Sequence, residues 1–176
     1  MAEYIAFDEH VEVSGESIRS ISKALGEVAV PILRKHGLYP IDTTQWYSQQ
    51  TQLNVYREIN DLNLLNMVAI GMQVPDTAEF PPGIETVHDA LKLLNDAYQM
   101  HHRGGDFGEY RYEYVSERRA KMICRNPYPG DLDYGIIYRL VQKFYPPDSN
   151  GFYVELDLNA PTRRNGDDSC TYLISW

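Results

Sequence analysis

Histidine and cysteine are the side chains in this sequence best suited to metal or acid–base chemistry, and they are few. His101 and His102 are adjacent. Neighbouring residues on a helix point about 100° apart and seldom bind one metal together, so we expect solvent-exposed histidines at a helix end. Cys124 and Cys170 lack the C-x-x-C spacing of a metal pair and form no disulfide framework. A zinc site built from both cysteines and a histidine is an alternative, although buried free cysteine as a small hydrophobic residue is commoner.

Three groups of carboxylates were considered as catalytic pairs. Glu155 and Asp157 fall on the outward face of a predicted strand, where solvated charge is usual. Asp131 and Asp133 form the second pair; Asp131 precedes a predicted helix and is expected to be its N-cap. Asp167 and Asp168 lie between two predicted strands, where aspartate is a common turn residue. None of the three therefore predicts acid–base catalysis.

Sequence motifs and charge narrow the class of protein further. The chain has no Gly-x-Ser-x-Gly, Walker-type loop or His-Glu-x-x-His, so we expect a protein that is not an enzyme and that needs no cofactor or metal. A net charge of −9 argues against nucleic acid or an anionic membrane as a partner. No apolar run approaches the roughly 18 residues of a membrane span, and the N-terminus lacks a secretory signal. We expect a cytoplasmic protein.

Tyrosine is abundant, with 14 in 176 residues. The hydroxyl groups could serve a ligand pocket with an otherwise apolar wall, or the rings could pack across strands. The loop Asn126-Pro127-Tyr128-Pro129-Gly130-Asp131 allows the same two interpretations. It is either a rigid turn before a helix or the rim of a pocket, with Tyr128 and Arg125 contacting the ligand.

The C-terminal half must position these side chains, and its hydrophobic periodicity predicts a four-stranded antiparallel sheet with an inserted helix. Helical and period-two stretches alternate in the order helix, two strands, helix, two strands. Each strand has one face suited to burial and one suited to water. The predicted inward faces, strand by strand, are Tyr110, Tyr112 and Tyr114; Ala120, Met122 and Cys124; Phe152, Val154, Leu156 and Leu158; and Cys170, Tyr172, Ile174 and Trp176, the last expected to be substantially buried. The stretches are Ile84–His102, Phe107–Ser116, Arg119–Arg125, Asp131–Tyr145, Phe152–Leu158 and Cys170–Trp176.

The N-terminal half is predicted to be helical. A first helix from Ser14 to His36 contains Pro31, which should kink or split it. A second helix, capped by Thr43 or Thr44, is expected to include Trp46 and to run through Ile59; the short segment His10–Val13 is a candidate edge strand.

The third apolar segment of this half, Leu62–Met72, is followed by the proline-rich loop Val74–Gly83. Neither half alone has enough core to be stable. We therefore expect one α+β domain, 1–176, with a helical subregion 1–102 and a sheet-containing subregion 103–176.

This order resembles the superfamily that groups haem nitric-oxide/oxygen-binding domains, 4-vinyl reductase-type domains and Golgi transport-particle subunits. Gly37-Leu38-Tyr39-Pro40 and Gln45-Trp46-Tyr47-Ser48 resemble uncharacterised bacterial relatives of these families. The resemblance covers most of the chain and implies a fold in which helices and the sheet enclose a hydrophobic pocket. In relatives that pocket holds haem or an acyl chain, or is thought to hold a small effector.

The haem-binding branch of this superfamily makes demands that the sequence does not meet. Its axial histidine follows a Leu-x-x-Leu pattern, which here reads Leu91-Lys92-Leu93-Leu94 and is followed by Asn95. Its Tyr-x-Ser-x-Arg motif falls on Met122-x-Cys124-x-Asn126. A neutral amide is a poor axial iron ligand, and no guanidinium remains there for the haem carboxylates. The resemblance therefore predicts the fold without haem.

The first hypothesis is a non-enzymatic sensor or regulatory domain that binds a small, largely apolar ligand in an internal pocket and acts through a signalling protein partner. The alternatives are a protein–protein interaction module with a filled core and a haem-based gas sensor; a reductase comes last, because no cofactor fingerprint is present. Cavity volume separates the first two hypotheses: without an enclosed void above about 300 Å³, the lower range for ligand sites, the sensor hypothesis loses its physical basis. The pocket candidates are Met67, Ile70, Leu94, Asn95, Tyr98, Tyr110, Tyr112 and Tyr128.

The segment Leu62–Met72 also predicts assembly. It is apolar on more than one face, which is rare for a surface helix of a monomer. We expect a C₂ homodimer through the first or third helix. Light scattering should give about twice the chain mass of 20.3 kDa. A monomer at micromolar concentration would mean that this segment is buried within its own chain.

Overall fold

Two antiparallel sheets and seven α-helices build residues 3–176, the part of the chain that this computed structural model describes. The architecture is α+β, as the periodicity predicted. In chain order the elements are β1 (Glu12–Ser14), α1 (Gly15–Leu25), a 3₁₀ turn (Gly26–Val28), α2 (Ala29–Lys35), β2 (Trp46–Ser48), α3 (Gln49–Asp61), α4 (Met67–Gly71), α5 (Val74–Thr77), α6 (Val87–Met100), β3 (His102–Arg103), β4 (Glu109–Ser116), β5 (Arg119–Arg125), α7 (Gly130–Phe144), β6 (Tyr153–Leu156), a 3₁₀ turn (Arg163–Asn165) and β7 (Ser169–Ser175).

The larger sheet has the strand order β4-β5-β7-β6, with every neighbouring pair antiparallel and α7 inserted between β5 and β6. This confirms the predicted four-stranded sheet and its helix. The inward faces are correct at the centre of the sheet and wrong at its ends, where Tyr114 is 64% exposed, Leu158 is 79% exposed and Trp176 is only partly buried. β6 ends at Leu156 and β7 at Ser175, so Leu158 and Trp176 lie outside the strands, and the pairing of β4 with β5 shifts register between Tyr114 and Ser116.

The smaller sheet has the order β2-β1-β3, so β1 is its central strand. The prediction of an edge strand at His10–Val13 was wrong in this respect. Both neighbours of β1 come from segments far away in the chain, which a local pattern does not reveal.

The first predicted helix is split, as expected, but the break lies at Gly26 and not at Pro31. Gly26 has φ 57°, a conformation that glycine adopts without the steric cost of a side chain. Pro31 lies in the first turn of α2, where a missing N–H breaks no helical hydrogen bond.

Neither Thr43 nor Thr44 caps the second helix. Trp46 belongs to β2, and α3 begins only at Gln49. The predicted inclusion of Trp46 in that helix was therefore wrong: the stretch pairs with β1, and that tertiary contact overrides local propensity.

The third predicted helix is much shorter than Leu62–Met72. The side chain of Asn66 accepts a hydrogen bond from the N–H of Val68 and starts α4 at Met67, and asparagine favours such caps over helix interiors. Leu62 is 55% exposed and lies outside the helix. The short helix α5 occupies the start of the predicted proline-rich loop.

Asp131 is not the N-cap of the inserted helix. Pro129 holds that position, and Asp131 lies in the first turn of α7, 2.7 Å from the guanidinium of Arg164. Within residues 3–176, no helix combines the length and the apolar character needed to cross a bilayer.

Helices α4 and α7 cross at two glycines, which fix the helical half against the inserted helix. A Cβ atom added at Gly71 would overlap the carbonyl oxygen of Leu132, and one added at Gly135 would overlap that of Val68. Both obstacles are backbone atoms, so the two helices would have to separate.

We expect Gly71→Ala and Gly135→Ala each to lower the free energy of unfolding by about 1–3 kcal/mol, the usual cost of overpacking, as measured by chemical denaturation. The double variant should cost less than the sum, because both changes separate the same pair of helices. Gly26→Ala is the control: it meets no atom within 4 Å, so only its positive φ is penalised, by about 1–2 kcal/mol, and its effect should add to either of the others.

Candidate ligand site

A cavity of about 60 Å³, partly open to solvent, lies between the helical half and the larger sheet. Helices α1, α3, α5, α6 and α7 form most of its wall, and β4 and the loop before α7 complete it. The surface is mainly carbon. The lining residues are Glu16, Ser17, Ser20, Gln52, Tyr56, Val74, Thr77, Ala78, Phe80, Leu94, Ala97, Tyr98, His101, His102, Tyr110, Tyr128, Leu132 and Ile136.

Four of the eight predicted pocket residues line this cavity, namely Leu94, Tyr98, Tyr110 and Tyr128. Tyr98 and Tyr110 pack edge to face with their ring centres 5.0 Å apart, and Tyr98 and Tyr128 do so at 6.4 Å. The three rings therefore form one aromatic wall. Whether they contact a ligand stays a prediction.

The other four predicted pocket residues lie outside the cavity lining. Met67 and Ile70 are buried in α4. The side-chain oxygen of Asn95 accepts from the backbone N–H of Tyr110 at 3.0 Å, so it serves β4. The hydroxyl of Tyr112 lies 2.7 Å from Nδ1 of His88 at the other end of α6.

The predicted pocket rim is only half correct. Tyr128 is buried, at 4% exposure. Arg125 is not part of the cavity wall: its guanidinium pairs with Asp106 at 2.8 Å and with Asp168 at 2.9 Å on the surface.

His101 and His102 are buried, at 8% and 7% exposure, so the prediction of solvent-exposed histidines was wrong. α6 ends at Met100, and the chain continues directly into β3 of the smaller sheet. Pairing of β3 with β1 places His102 opposite Val13, and the side chain of His101 bonds to Ser14; the helical periodicity did not reveal these contacts.

The tautomer of His102 follows from its contacts. Nδ1 lies 2.8 Å from the carbonyl oxygen of Tyr98 and must carry the proton. Nε2 is then an acceptor, and the hydroxyl of Tyr128 at 2.8 Å donates to it. That hydroxyl also lies 2.8 Å from Oε1 of Gln52 as placed. Because a hydroxyl has one proton, the amide of Gln52 must be turned so that its nitrogen donates to Tyr128.

Four ionisable side chains of the cavity wall, His102, Tyr98, Tyr110 and Tyr128, are uncharged at neutral pH. Burial lowers the pKa of His102 to about 3, although the bond to the Tyr98 carbonyl opposes this shift. Burial also raises the pKa of Tyr98, Tyr110 and Tyr128 well above the ordinary value. Each of these side chains has a hydrogen-bond partner within the protein. These four side chains therefore bring no charge to the cavity wall.

A buried ion pair lies next to the cavity. Arg163 and Asp133 are both 0% exposed and bonded to each other. Asp133 also accepts from the hydroxyl of Tyr110 at 2.5 Å and from the amide of Asn126 at 3.2 Å. Sequence reasoning considered Asp133 only as an acid paired with Asp131 and did not single out Arg163, because an arginine in a polar loop gives no local sign of burial.

Cys124 and Cys170 face each other across β5 and β7 and are both buried. Burial raises the pKa of each thiol, so the reactive thiolate is disfavoured. Among the residues that the structure describes, no three His, Cys, Asp or Glu side chains are grouped to hold a metal ion. The zinc alternative thus receives no support.

One serine–histidine pair has hydrolase-like distances. The hydroxyl of Ser14 lies 2.8 Å from Nδ1 of His101, whose Nε2 lies 3.2 Å from the carbonyl oxygen of Glu79. A nucleophile, a base and an orienting group are arranged in this way in covalent catalysis. Ser14, however, is 8% exposed and absent from the cavity wall. The pair connects β1 to α6 and to the segment after α5, which is a structural role.

The described residues do not fit a haem in the cavity. Its volume of about 60 Å³ is far below the roughly 300 Å³ at which ligand sites begin. Nε2 of His102 is engaged by Tyr128, and Asn95 caps β4.

The residues matched to the Tyr-x-Ser-x-Arg motif do not serve a haem either. Met122 and Cys124 are fully buried residues of β5, and Asn126 is bonded to Asp133. The literal pattern Tyr114-x-Ser116-x-Arg118 occurs one strand earlier, at the exposed hairpin outside the cavity wall.

Comparison with known proteins gives the fold. No protein-family model and no curated protein matches the chain. Among solved structures, an H-NOX protein from S. oneidensis in the Fe(II)NO ligation state aligns with a TM-score of 0.63 at 10% identity, over 92% of this chain and 98% of that one. A mutant of the T. tengcongensis H-NOX gives 0.61 at 15% over 92% and 93%, and a variant Tt H-NOX gives 0.67 at 16% over 92% and 91%. The chain therefore shares the H-NOX fold.

The burial of neutral His102 predicts acid sensitivity. The unfolded chain binds a proton at this residue near pH 6.5, whereas the folded chain does so only near pH 3. The contribution to stability is thus complete above pH 6.5 and is lost as the pH falls towards 3, by about 1.4 kcal/mol per pH unit.

His102→Gln should be less stable at neutral pH and should lose less stability than wild type between pH 6.5 and 4, measured by urea denaturation. His10→Gln, at an exposed position, should keep the wild-type slope. Equal slopes for wild type and His102→Gln would contradict the assignment.

Proposed function

We propose that this chain is a non-enzymatic sensor or regulatory domain that binds a small, largely apolar ligand in the cavity, without haem. The single observation that carries the proposal is the cavity itself, a carbon-lined space at the junction of the two halves. The histidine and tyrosine groups around it are bonded within the protein. Apolar cavities of this kind stay dry and accept apolar guests.

The volume limits the ligand. At about 60 Å³ the cavity is smaller than the roughly 150 Å³ of an engineered cavity that binds benzene. A molecule of only a few heavy atoms suits the cavity as it stands. A larger ligand requires a wall to move, and α5 with the following segment is the best candidate. Val74 and Phe80 of that wall pack against the core, and its polar contacts include Arg19 to the Thr77 carbonyl at 2.8 Å and His101 to the Glu79 carbonyl.

The side chains of Asn95 and His102 support a ligand other than haem. Asn95 stands where the resemblance places the axial ligand, and its side chain is engaged by β4. His102 would have to give up Tyr128 before it could bind iron. In the proposal the domain acts through a signalling partner and as a homodimer.

A protein–protein interaction module with a filled core is the second candidate. The observation that favours it is the same volume, which falls below the roughly 300 Å³ expected of a preformed ligand site. A haem-based gas sensor is the third candidate and is supported only by the likeness to H-NOX structures.

Xenon binding tests the proposal, because xenon is a small apolar probe of dry cavities. We expect NMR shifts on xenon addition for residues of the cavity wall, such as Leu94 and Ala97. Ala97→Leu should abolish these shifts, because its side chain fills the space. Ala24→Leu, in a partly buried position of α1 outside the cavity wall, should leave them unchanged.

Native mass spectrometry and a visible spectrum of freshly purified protein separate the other candidates. A retained small molecule that Ala97→Leu loses would support the sensor. No xenon shifts together with no retained ligand would favour the filled-core module. A Soret band with stoichiometric haem would overturn the haem-free proposal.

A further inference from the structure

The segment 157–168 joins β6 to β7, and its one fully buried charged side chain is that of Arg163. Leu158, Pro161, Arg164 and Asp167 of this segment are exposed. Arg163 is 0% exposed. A long charged side chain is almost never buried unless it is paired, so the position of this segment depends on the partners of Arg163.

Those partners lie on the larger sheet and on α7. One guanidinium nitrogen of Arg163 donates to the carbonyl oxygens of Cys124 at 2.7 Å and Asn126 at 3.2 Å. The other donates to the carboxylate of Asp133. Removing one partner of a buried ion pair strands the other charge in the interior. The segment is therefore either docked with the pair intact or released.

Asp133 also contacts the cavity wall. One carboxylate oxygen binds Arg163, and the other accepts the hydroxyl of Tyr110 at 2.5 Å. Tyr110 lines the cavity. The cavity and the exposed segment thus share one carboxylate, and Tyr110 helps to hold that group in the orientation that Arg163 requires.

We propose that segment 157–168 is the output element of the cavity. A ligand that displaces Tyr110 weakens the hold of Asp133 on Arg163 and so releases the segment. The role of the ligand rests on the proposed function. The link from Tyr110 through Asp133 to Arg163 consists only of hydrogen bonds within the protein. It can therefore be tested without a ligand.

Hydrogen exchange tests the link. The amides of Asn165, Gly166 and Asp167 are bonded within the segment and should report its release. In Tyr110→Phe we expect their exchange to rise about tenfold or more, the scale of one lost hydrogen bond to a charged group. Tyr98→Phe is the matched control, because Tyr98 lines the same cavity but donates to the Phe107 carbonyl; it should leave the three amides unchanged.

A second test measures the same hydrogen exchange in the Arg163→Met variant, with and without Tyr110→Phe. There the segment is already released, so adding Tyr110→Phe should produce no further rise in exchange. Unchanged exchange in Tyr110→Phe, or equal effects of Tyr110→Phe and Tyr98→Phe, would overturn the link.

If Tyr110→Phe does not fold, xenon affinity tests the link instead. Coupling is reciprocal, so Arg163→Met should change that affinity severalfold, whereas Arg164→Met, which breaks a surface pair with Asp131, should not; equal affinities would reject the link.

The proposed function and the link can fail separately. If xenon does not bind but Tyr110→Phe still raises exchange in the segment, the link holds and the sensor function falls. If xenon binds and the three amides do not respond to Tyr110→Phe, the cavity is a ligand site without this output.

Discussion

The buried pair between Asp133 and Arg163 is the interaction on which the arrangement around the cavity depends. It joins α7, the end of β5 and the segment before β7, and it positions Tyr110 in the cavity wall. Taking two charges out of water costs several kcal/mol per ion. Hydrogen bonds from Asn126 and to the carbonyl of Cys124 offset that cost, and they require the exact local geometry of the sheet and helix. The pair therefore specifies one arrangement of these elements more than it adds net stability.

The apolar surface of the cavity results from hydrogen bonding among the buried polar groups around it. His102 and the three tyrosines bring nitrogen and hydroxyl groups into the interior, yet each is bonded within the protein. What remains open is mainly carbon surface. The interior is thus polar in composition but presents an apolar face to a guest, because an unsatisfied buried donor or acceptor would be costly.

Similarity of the backbone to H-NOX structures shows the fold, whereas function depends on individual side chains. The backbone path matches H-NOX structures over 92% of the chain, while the side chains of Asn95 and Asn126 bond to Tyr110 and Asp133 within the protein. Packing of helices on a sheet needs only apolar faces and close approaches such as that of Gly71 to Gly135. A cofactor needs particular atoms in particular places, so one fold hosts different functions.

The sequence by itself predicted the α+β class, the four-stranded sheet with its inserted helix and four of the eighteen residues that line the cavity, because periodicity records which face of an element is buried. Tertiary structure alone decided that β1 is central, that His101 and His102 are buried, and that Arg163 pairs with Asp133. Each of these depends on segments that meet only after folding: β1 lies between β2 and β3, and Arg163 lies 30 residues after Asp133. Local patterns encode burial, whereas partners across the chain decide where a polar side chain is satisfied.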